Sequence, residues 1–431
     1  MILFNLTMEN RLKTRREFVQ EMGFLAGSSV MLSSVPWLGA FAQENGKNVA
    51  PSDRVRLGFV GVGDRGRALL MNTQEIPNVE IVAVCDNYEP NYQRAIQLTG
   101  GKAKAFYDHR EMLTMKDVDG VVIAVPLNEH AHITNDFLRA GYHVFCEKAV
   151  ARTLEDTKLM IDVQKETGKI LQIGHQRLFN PVYLRALERV KAGEIGPITQ
   201  VRAYWHRNGD WRRPVPSPEL ERKINWRLYT EYSAGLMTEL CTHQIQVANW
   251  FIDDIPTQVM GSGSICFWKD GREVYDHVAL VYDYPNGIKC IYDSMIANKH
   301  YGLEEQIQGH LGTIEPEVNR FYTEAPPQAP GIRQLVHSIE KSVFEVIPIG
   351  GATWVPETAV PYKGEIIARY DNNDTFLQMV GFSKAVKAGK PYKNLLREAY
   401  HASVASLLGL QAMETNQIVP WPVEYKMEKE V

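Results

Sequence analysis

A glycine-rich turn between two apolar runs constrains the fold of this chain more than any other feature. The run 54–60 is rich in β-branched and other apolar residues, which is typical of a buried strand, and it leads into GVGDRG at residues 61–66. A second apolar run, 79–85, ends at Asp86. This acidic residue lies about 20 positions after the last glycine, a spacing typical of dinucleotide-binding strand–turn–helix units.

Each glycine of the turn has its own steric reason. Gly61 allows the tight turn, Gly63 lets the backbone approach a pyrophosphate, and Gly66 lets the helix pack close to the strand. The N-terminus of that helix would face the phosphates with unpaired N–H groups. Asp86 can bond a ribose 2′-hydroxyl and would repel a 2′-phosphate, which favours NAD over NADP, whereas Arg65 is expected to soften that preference. The alternative is an ordinary strand-to-helix turn with a surface aspartate.

Strands and helices keep alternating beyond this turn. Further strands are predicted at 118–125, 142–146 and 169–173, and helices at 130–140 and 153–167. Alternation at this spacing predicts a doubly wound parallel α/β sheet, a Rossmann domain that covers residues 54–175.

After Gln176 the pattern changes to longer alternating segments. Strands are predicted at 198–206, 258–268, 277–284 and 287–298, and the sequence PNG at 285–287 predicts a hairpin. We therefore predict a second, α+β domain with a large, mostly antiparallel sheet over residues 176–421. Two helices are expected near the C-terminus, at 375–387 and 395–415.

The first 42 residues differ from the rest of the chain. Arg15 and Arg16 precede a run of small and apolar residues at 22–38, and the sequence AFA at 40–42 suits a signal peptidase. Together these features resemble a twin-arginine signal peptide, so we predict a periplasmic protein that engages the twin-arginine export machinery. An amphipathic N-terminal helix is the alternative, and a membrane anchor is disfavoured because the run is short and weakly hydrophobic.

Composition excludes several classes of function. The 431 residues carry 47 Lys+Arg against 51 Asp+Glu, a net charge of −4, so there is no basic excess to hold nucleic acid. After the leader no segment approaches about 18 uninterrupted apolar residues, so no membrane contact is expected once the leader is removed. Five cysteines are too few for a disulfide scaffold, and we interpret them as reduced core and strand residues: Cys85, Cys146, Cys241, Cys266 and Cys290.

A more specific resemblance rests on residues 121–148, which begin VVIAVPLNEH and end AGYHVFCEK. This segment resembles the glucose-fructose oxidoreductase / inositol dehydrogenase / rhizopine catabolism (Gfo/Idh/MocA) family, and the resemblance extends from Val55 to about Trp421. It implies a Rossmann domain, a mostly antiparallel α/β domain, an NAD or NADP cofactor and C-terminal helices that pack back on the first domain. We also expect a homo-oligomer, either a dimer or a tetramer.

The resemblance implies site residues by position. Lys148 matches the family's catalytic lysine, which is expected to act as acid/base. The family usually has Glu-Lys-Pro where this chain has Ala149, and a cis bond before a non-proline residue costs about 3 kcal/mol. The positions that match the cofactor site are Gly61, Gly63, Asp64, Arg65, Gly66, Asp86, Leu127, Asn128, His130, Glu147, Gln176, Trp226 and Arg227.

A second matching motif is the stretch 233–243, a glycine-containing turn followed by a predicted helix. Glu239 and His243 are four residues apart and would share one face of an α-helix. The family commonly has Asp at the acidic position. We expect both side chains to orient substrate beside Lys148, and His243 is the alternative candidate for the acid/base role. The nearby segment 204–214 is rich in aromatic and polar residues that suit a sugar, although a surface loop or a subunit contact would explain it equally well.

No metal is expected at this site, because His130 and His132 would diverge by about 200° on a helix. The leading hypothesis is an exported NAD(P)-dependent oxidoreductase that transfers hydride between the cofactor and a sugar or sugar derivative. Because free NAD is scarce outside the cytoplasm, we expect the cofactor to be tightly bound. The alternatives are an NAD-dependent glycosidase that works by transient oxidation, elimination and re-reduction, and a non-catalytic carbohydrate sensor.

Overall fold

The computed structural model describes residues 54–324, 364–370 and 373–430, so the predicted leader lies outside the described residues. Its N-terminal half contains a six-stranded sheet in which every pairing is parallel, with the order β3-β2-β1-β4-β5-β6. The strands are β1 (Val55–Val60), β2 (Val79–Cys85), β3 (Lys104–Phe106), β4 (Gly120–Ile123), β5 (His143–Cys146) and β6 (Leu171–Ile173). The predicted doubly wound parallel sheet is thereby confirmed.

Helices connect these strands. They are α1 (Asp64–Gln74), α2 (Glu89–Leu98), α3 (His130–Arg139) and α4 (Leu154–Thr167). The ends of α4 follow from its sequence, because the Thr153 hydroxyl accepts a hydrogen bond from the Asp156 N–H at 3.0 Å and Gly168 adopts a left-handed conformation.

The second half contains a nine-stranded sheet with the order β14-β13-β12-β11-β7-β10-β9-β8-β15. All its pairings are antiparallel except that of β7 with β10, so the predicted mostly antiparallel sheet is confirmed. The strands are β7 (Ile198–His206), β8 (Gln258–Ser264), β9 (His277–Asp283), β10 (Lys289–Met295), β11 (Leu303–Gly309), β12 (Gly312–Glu315), β13 (Arg320–Thr323), β14 (Glu365–Ile366) and β15 (Val419–Pro420).

Strand β8 is shorter than the predicted 258–268. The reason is the buried Asp276 carboxylate, which accepts hydrogen bonds from three successive main-chain N–H groups, those of Cys266, Phe267 and Trp268, at 2.7–2.9 Å. These bonds turn the chain out of the sheet and leave Cys266 exposed. The interpretation of all five cysteines as core or strand residues is therefore wrong for Cys266; the other four are buried, and all five are free thiols.

The remaining helices cover the large sheet and reach the first domain. They are α5 (Pro181–Lys191), α6 (Glu221–Ile224), α7 (Thr242–Ile252), α8 (Asp374–Ala388) and α9 (Leu395–Thr415). Helix α8 lies beside α1, where the Asn373 amide donates to Asn72 at 3.2 Å. Helix α9 contacts the chain after β5, because the Ser403 hydroxyl accepts from the Val150 N–H at 2.9 Å. No helix within the described ranges is both long and apolar enough to cross a membrane.

Candidate active site

A cleft of about 1790 Å³ opens beyond the carboxyl ends of the parallel strands. It lies at the point where the strand order reverses between β1 and β4, the usual ligand position in such sheets. The first domain contributes the turn after β1 and the residues after β2, β4 and β5, whereas the second domain contributes residues between 205 and 243.

The glycine turn after β1 fits a pyrophosphate. Gly61 has a φ of +78°, which favours glycine. A Cβ on Gly66 would lie only 1.9 Å from the carbonyl oxygen of Gly61, so this position requires the close helix approach. A Cβ on Gly63 would instead meet nothing closer than an Asn91 amide nitrogen at 3.8 Å. Gly63 caps α1 without a side-chain hydrogen bond, which leaves N–H groups of the helix free to bind an anion.

The carboxylate of Asp86 lies beside this turn, at the end of β2. It accepts hydrogen bonds from the main-chain N–H groups of Val62 at 2.9 Å and Tyr88 at 2.8 Å, and from the Asn91 amide at 3.2 Å. Burial raises the pKa of Asp86 although these hydrogen bonds oppose the shift. Because these bonds hold the carboxylate at the cleft wall, its position fits a ribose hydroxyl.

Contrary to expectation, Arg65 does not turn toward Asp86. Its guanidinium donates to Glu147 at 2.7 Å and to the Thr375 hydroxyl at 3.3 Å, so both Arg65 and Glu147 lie on the Lys148 side of the cleft. The expectation that Arg65 softens the preference for NAD is not supported by this placement, because its guanidinium is already paired with Glu147. Asp64 lines the cleft and pairs with Arg213 at 2.5 Å, which links the first helix to the second domain.

Leu127, Asn128 and Gln176 form a further part of the cleft wall. The side-chain oxygens of Asn128 and Gln176 are buried and find no hydrogen-bond partner within the described residues. Unsatisfied buried oxygens at a ligand site call for donors from the ligand. An amide-bearing group such as nicotinamide supplies such donors, so these two residues fit the cofactor.

His130 has a different role from its neighbours. Its two ring nitrogens lie 2.9 Å from the Ala149 carbonyl oxygen and 3.1 Å from that of Val125. Burial lowers the pKa of His130. A neutral imidazole has a single N–H and donates to one of these two carbonyl oxygens; that bond holds the chain next to Lys148, and the residue also lines the cleft.

Lys148 projects from the end of β5 toward the second domain. Its ammonium donates to the main-chain carbonyl oxygens of Glu239 at 2.9 Å and Thr238 at 3.3 Å. The side chain is only 14% exposed, and this burial lowers its pKa although nearby Glu239 opposes the shift. The Lys148–Ala149 peptide bond is cis, although alanine stands where the family usually has proline.

Glu239 forms an ion pair next to this lysine. Its carboxylate accepts from Arg227 Nε at 2.9 Å, and the Arg227 guanidinium lies 4.1 Å from the ring centroid of Trp226. The same carboxylate lies 4.0 Å from the Lys148 ammonium. Burial alone would raise the pKa of Glu239, but the positive charges of Arg227 and Lys148 bring it below its ordinary value.

The helix that carries Glu239 and His243 is irregular. Met237–Cys241 form a π-helical turn and α7 begins only at Thr242, so the predicted regular α-helix is wrong at this point. Both side chains nevertheless line the cleft. The His243 ring lies 5.5 Å from the Trp205 ring and 5.9 Å from that of His175. Burial, together with Lys148 and Arg177, lowers the pKa of His243 well below its usual value, so the imidazole is neutral.

About half of the residues in the aromatic segment 204–214 line the cleft, including Arg212, Arg213 and Pro214. Trp205, Arg207 and Trp211 line it, whereas the His206 ring points away and hydrogen-bonds Asp293 at 2.5 Å. Successive side chains along a strand point to opposite faces, so Trp205 and Arg207 face the cleft whereas His206 between them faces away. Trp211 has a φ of +61°, which is rare for an aromatic residue, and such outliers cluster at ligand sites.

Sequence reasoning missed two supporting groups. His175 Nε2 lies 3.0 Å from the Thr242 hydroxyl, directly beside His243, and burial lowers the pKa of His175 to about 3. Arg207 was only one member of a polar segment, and no motif distinguishes it. Within the described ranges no group of three metal-ligating side chains is placed to hold an ion.

The first part of the chain is thus a NAD-binding Rossmann domain that supplies Lys148, and the second part closes the cleft with polar groups around this lysine, as in two-domain nicotinamide-dependent oxidoreductases. Residues 55–175 match the profile described as "Oxidoreductase family, NAD-binding Rossmann fold", and residues 183–315 match the "GFO/IDH/MocA C-terminal domain". The chain belongs to the Gfo/Idh/MocA family of oxidoreductases.

Curated relatives and a solved structure agree with this family. The chain is 26% identical over 267 residues to an inositol 2-dehydrogenase of Rubrobacter xylanophilus, which covers 61% of this chain and 72% of the relative. It is 30% identical over 202 residues to the inositol 2-dehydrogenase of Salmonella typhimurium, covering 46% of this chain and only 55% of that relative. A levoglucosan dehydrogenase solved with NADH and levoglucosan shares the fold, with a TM-score of 0.66, 19% identity, and coverage of 86% and 100%.

Proposed function

We propose that this protein oxidises a hydroxyl group of a sugar or related polyol, with Lys148 as the base that accepts the hydroxyl proton. The observation that carries the proposal is the environment of the Lys148 nitrogen, which two main-chain carbonyl oxygens hold inside the cleft. Bound NAD would accept the hydride that leaves the same carbon. The chain itself has to bind the sugar, orient the hydroxyl and handle its proton.

The two carbonyl contacts suit a neutral amine. A neutral lysine has two N–H donors and one lone pair, and the carbonyls of Thr238 and Glu239 use both donors. The lone pair is then left for a substrate hydroxyl. Because burial lowers the pKa of Lys148, more of the lysine is neutral at a given pH than in water, as a general base requires.

The neighbouring groups serve orientation and charge balance. The neutral His243 imidazole has no hydrogen bond from the described residues, so it can donate to or accept from a sugar hydroxyl. The Glu239 carboxylate, paired with Arg227, stabilises the lysine once it is protonated. Trp211 lines the cleft and offers an apolar face on which the CH groups of a sugar ring can pack.

The comparisons support this class of substrate. Relatives in two bacteria are named inositol 2-dehydrogenase, and the structural neighbour was solved with levoglucosan. Both names refer to cyclic polyhydroxylated compounds. The glycosidase and sensor alternatives are not favoured, because these relatives and the solved neighbour are named as dehydrogenases. The largely buried Lys148 in the cleft also favours a dehydrogenase over both alternatives.

We also propose export and tight cofactor retention. The paired arginines at 15 and 16, the apolar run and the AFA sequence at 40–42 support a twin-arginine route to the periplasm. That route carries folded proteins, so the cofactor can be loaded in the cytoplasm. The Asp64–Arg213 and Arg65–Thr375 contacts between distant parts of the chain favour slow cofactor release.

A homo-oligomer, either a dimer or a tetramer, remains part of the proposal. One face of the nine-stranded sheet carries partly exposed apolar residues, among them Val281, Ile291 and Met295, between charged ones such as Asp293 and Arg202. Light scattering of the purified protein tests the assembly. A single species of monomer mass would contradict it.

The test of the catalytic proposal is initial-rate NADH formation with purified protein, NAD and a panel of aldoses, cyclitols and aryl glycosides. We expect at least one free sugar or cyclitol to reduce NAD. The proposal fails if none does while an aryl glycoside releases its aglycone, because that result would indicate redox-neutral glycoside cleavage. Sugar binding without either product would indicate a sensor.

A further inference from the structure

Arg207 directly follows β7 and lines the same cleft as Lys148 and His243. Its guanidinium carbon lies 4.7 Å from the centroid of the Trp205 ring, and that ring lies 5.5 Å from the ring of His243. These stacked contacts place the Arg207 cation at the end of the cleft where the proposed function positions the substrate.

Arg207 differs from the other arginines of the cleft in its pairing. It has no carboxylate partner among the residues that the structure describes, and its one hydrogen bond there is from its main-chain N–H to Met295. Desolvation lowers its pKa, although a guanidinium stays charged in proteins. The cleft arginines that do pair with a carboxylate are Arg65, Arg110, Arg212, Arg213, Arg222 and Arg227.

The surroundings reinforce the positive charge at this end. Lys148 and Arg177 both act on His243 to lower its pKa, which shows a positive potential at the imidazole. The Glu239 carboxylate, which also lines the cleft, is paired with Arg227 at 2.9 Å. The Arg207 side chain is exposed in the open cleft and has no carboxylate partner among the described residues, so an anionic ligand group can pair with it without first breaking an ion pair.

We propose that the substrate of this protein carries a carboxylate, as in a uronic or aldonic acid, and that Arg207 binds that carboxylate while Trp211 contacts the sugar ring. This inference rests on the proposed function and specifies its substrate class. A guanidinium can form two parallel hydrogen bonds with a carboxylate or with a phosphate, and we favour the carboxylate because its single charge matches the one cleft arginine that has no carboxylate partner among the described residues. The indole face under Arg207 keeps the guanidinium plane fixed for that contact.

The test compares matched neutral and acidic sugars on the NADH-loaded protein. Binding of glucose and glucuronate, of galactose and galacturonate, and of glucose 6-phosphate is followed by tryptophan fluorescence and calorimetry. The variants are Arg207→Gln, Arg207→Lys and, as a matched control, Arg202→Gln. Arg202 is an exposed arginine on the same strand that does not line the cleft.

We expect the acidic member of at least one pair to bind about tenfold or more tightly, which corresponds to about 1.4 kcal/mol. Arg207→Gln should abolish that preference, Arg207→Lys should restore part of it, and Arg202→Gln should leave it unchanged. The inference is overturned if neutral members bind as well in every pair, if no acid binds, if glucose 6-phosphate binds best, or if Arg207→Gln keeps the preference.

The same experiment separates the two levels of the proposal. Oxidation of neutral sugars without any preference for acids would refute the role of Arg207 and leave the proposed oxidoreductase intact. Arg207-dependent binding of acids without NADH formation from NAD and any sugar would refute the oxidoreductase and support the carboxylate site.

Discussion

The Lys148 ammonium lies 2.9 Å from the main-chain carbonyl oxygen of Glu239 and 4.0 Å from the carboxylate of the same residue. The lysine comes from the Rossmann domain and the glutamate from the second domain. The contact therefore joins the domains at the point where we place the chemistry. The hydrogen bond to the Glu239 carbonyl oxygen orients the Lys148 side chain, whereas the Glu239 carboxylate acts to raise the pKa of that lysine.

Replacement of Lys148 by methionine should abolish most of the activity without loss of cofactor binding. A positioned general base contributes roughly 10²–10⁴-fold to rate, so kcat should fall by about that factor. Lys165→Met, an exposed lysine on α4, is the control. A Lys148→Met variant with near-normal kcat would show that another group accepts the proton.

The pH profile should report the same lysine. Because the neutral amine is the active form, kcat should rise with pH through the lowered pKa of Lys148 and level off above it. Glu239→Gln removes a negative charge that raises this pKa, so the rising limb should move to lower pH. Glu166→Gln, an exposed glutamate on α4, should leave the profile in place. A shift to higher pH in Glu239→Gln would contradict the assignment.

The glycine turn offers a matched pair of variants. A Cβ at Gly66 meets the Gly61 carbonyl at 1.9 Å, so Gly66→Ala should lower stability, by about 1–3 kcal/mol or more on overpacking precedents. A Cβ at Gly63 has room in the protein, so Gly63→Ala should keep the melting temperature of the apoprotein. It should nevertheless weaken NAD binding, because the methyl group enters the space assigned to the pyrophosphate. Calorimetric melting and NADH titration separate the two effects, and equal NADH affinity in Gly63→Ala and wild type would contradict this cofactor position.

Asp86 should set the cofactor preference. Its carboxylate would repel a 2′-phosphate, and Arg65 is held by Glu147 at 2.7 Å. Asp86→Ser should reduce the ratio of NADH affinity to NADPH affinity by about tenfold or more, which corresponds to about 1.4 kcal/mol of binding free energy. Titration of both nucleotides checks this, with the exposed Asp117→Ser as control. An unchanged ratio would place the ribose elsewhere.

Export can be tested in cells. Replacement of both Arg15 and Arg16 by lysine should leave the precursor in the cytoplasm, because the paired arginines are the feature that the twin-arginine machinery reads. Arg11→Lys, in the same leader, should not alter export. Fractionation followed by immunoblotting measures the distribution. Periplasmic protein at the normal level in the double variant would refute this route.

The sequence predicted the parts of this fold that depend on local pattern. Alternating apolar runs and the glycine turn were sufficient for the parallel sheet, and the Thr153 cap and Gly168 mark the ends of α4. The end of β8 could not be predicted, because it depends on Asp276, a residue from the neighbouring part of the sheet. Hydrogen bonds from a side chain eight to ten residues further along leave no signal in the pattern of the strand itself.

The active site, like the fold, was predicted from the sequence only in part. Spacing identified Asp86 and the glycines, and family resemblance pointed to Lys148, Glu239 and His243. Neither predicted the π-helical turn at Met237–Cys241 or the pairing of Arg65 with Glu147, because the turn has no distinguishing sequence pattern and the pair joins residues far apart in the sequence of the first domain. The absence of a carboxylate partner for Arg207 among the described residues likewise could not be predicted, because it emerges only from a comparison of the three-dimensional surroundings of all the cleft arginines.

The most direct test of the central claim is the mass of the sugar product, measured alongside NADH after incubation of the purified protein with NAD and its best substrate. We predict a keto product that is lighter than the substrate by two hydrogen atoms, formed in equal amount to NADH and absent with Lys148→Met. Products of hydrolysis formed without NADH, or a keto product that persists undiminished in Lys148→Met, would contradict the account.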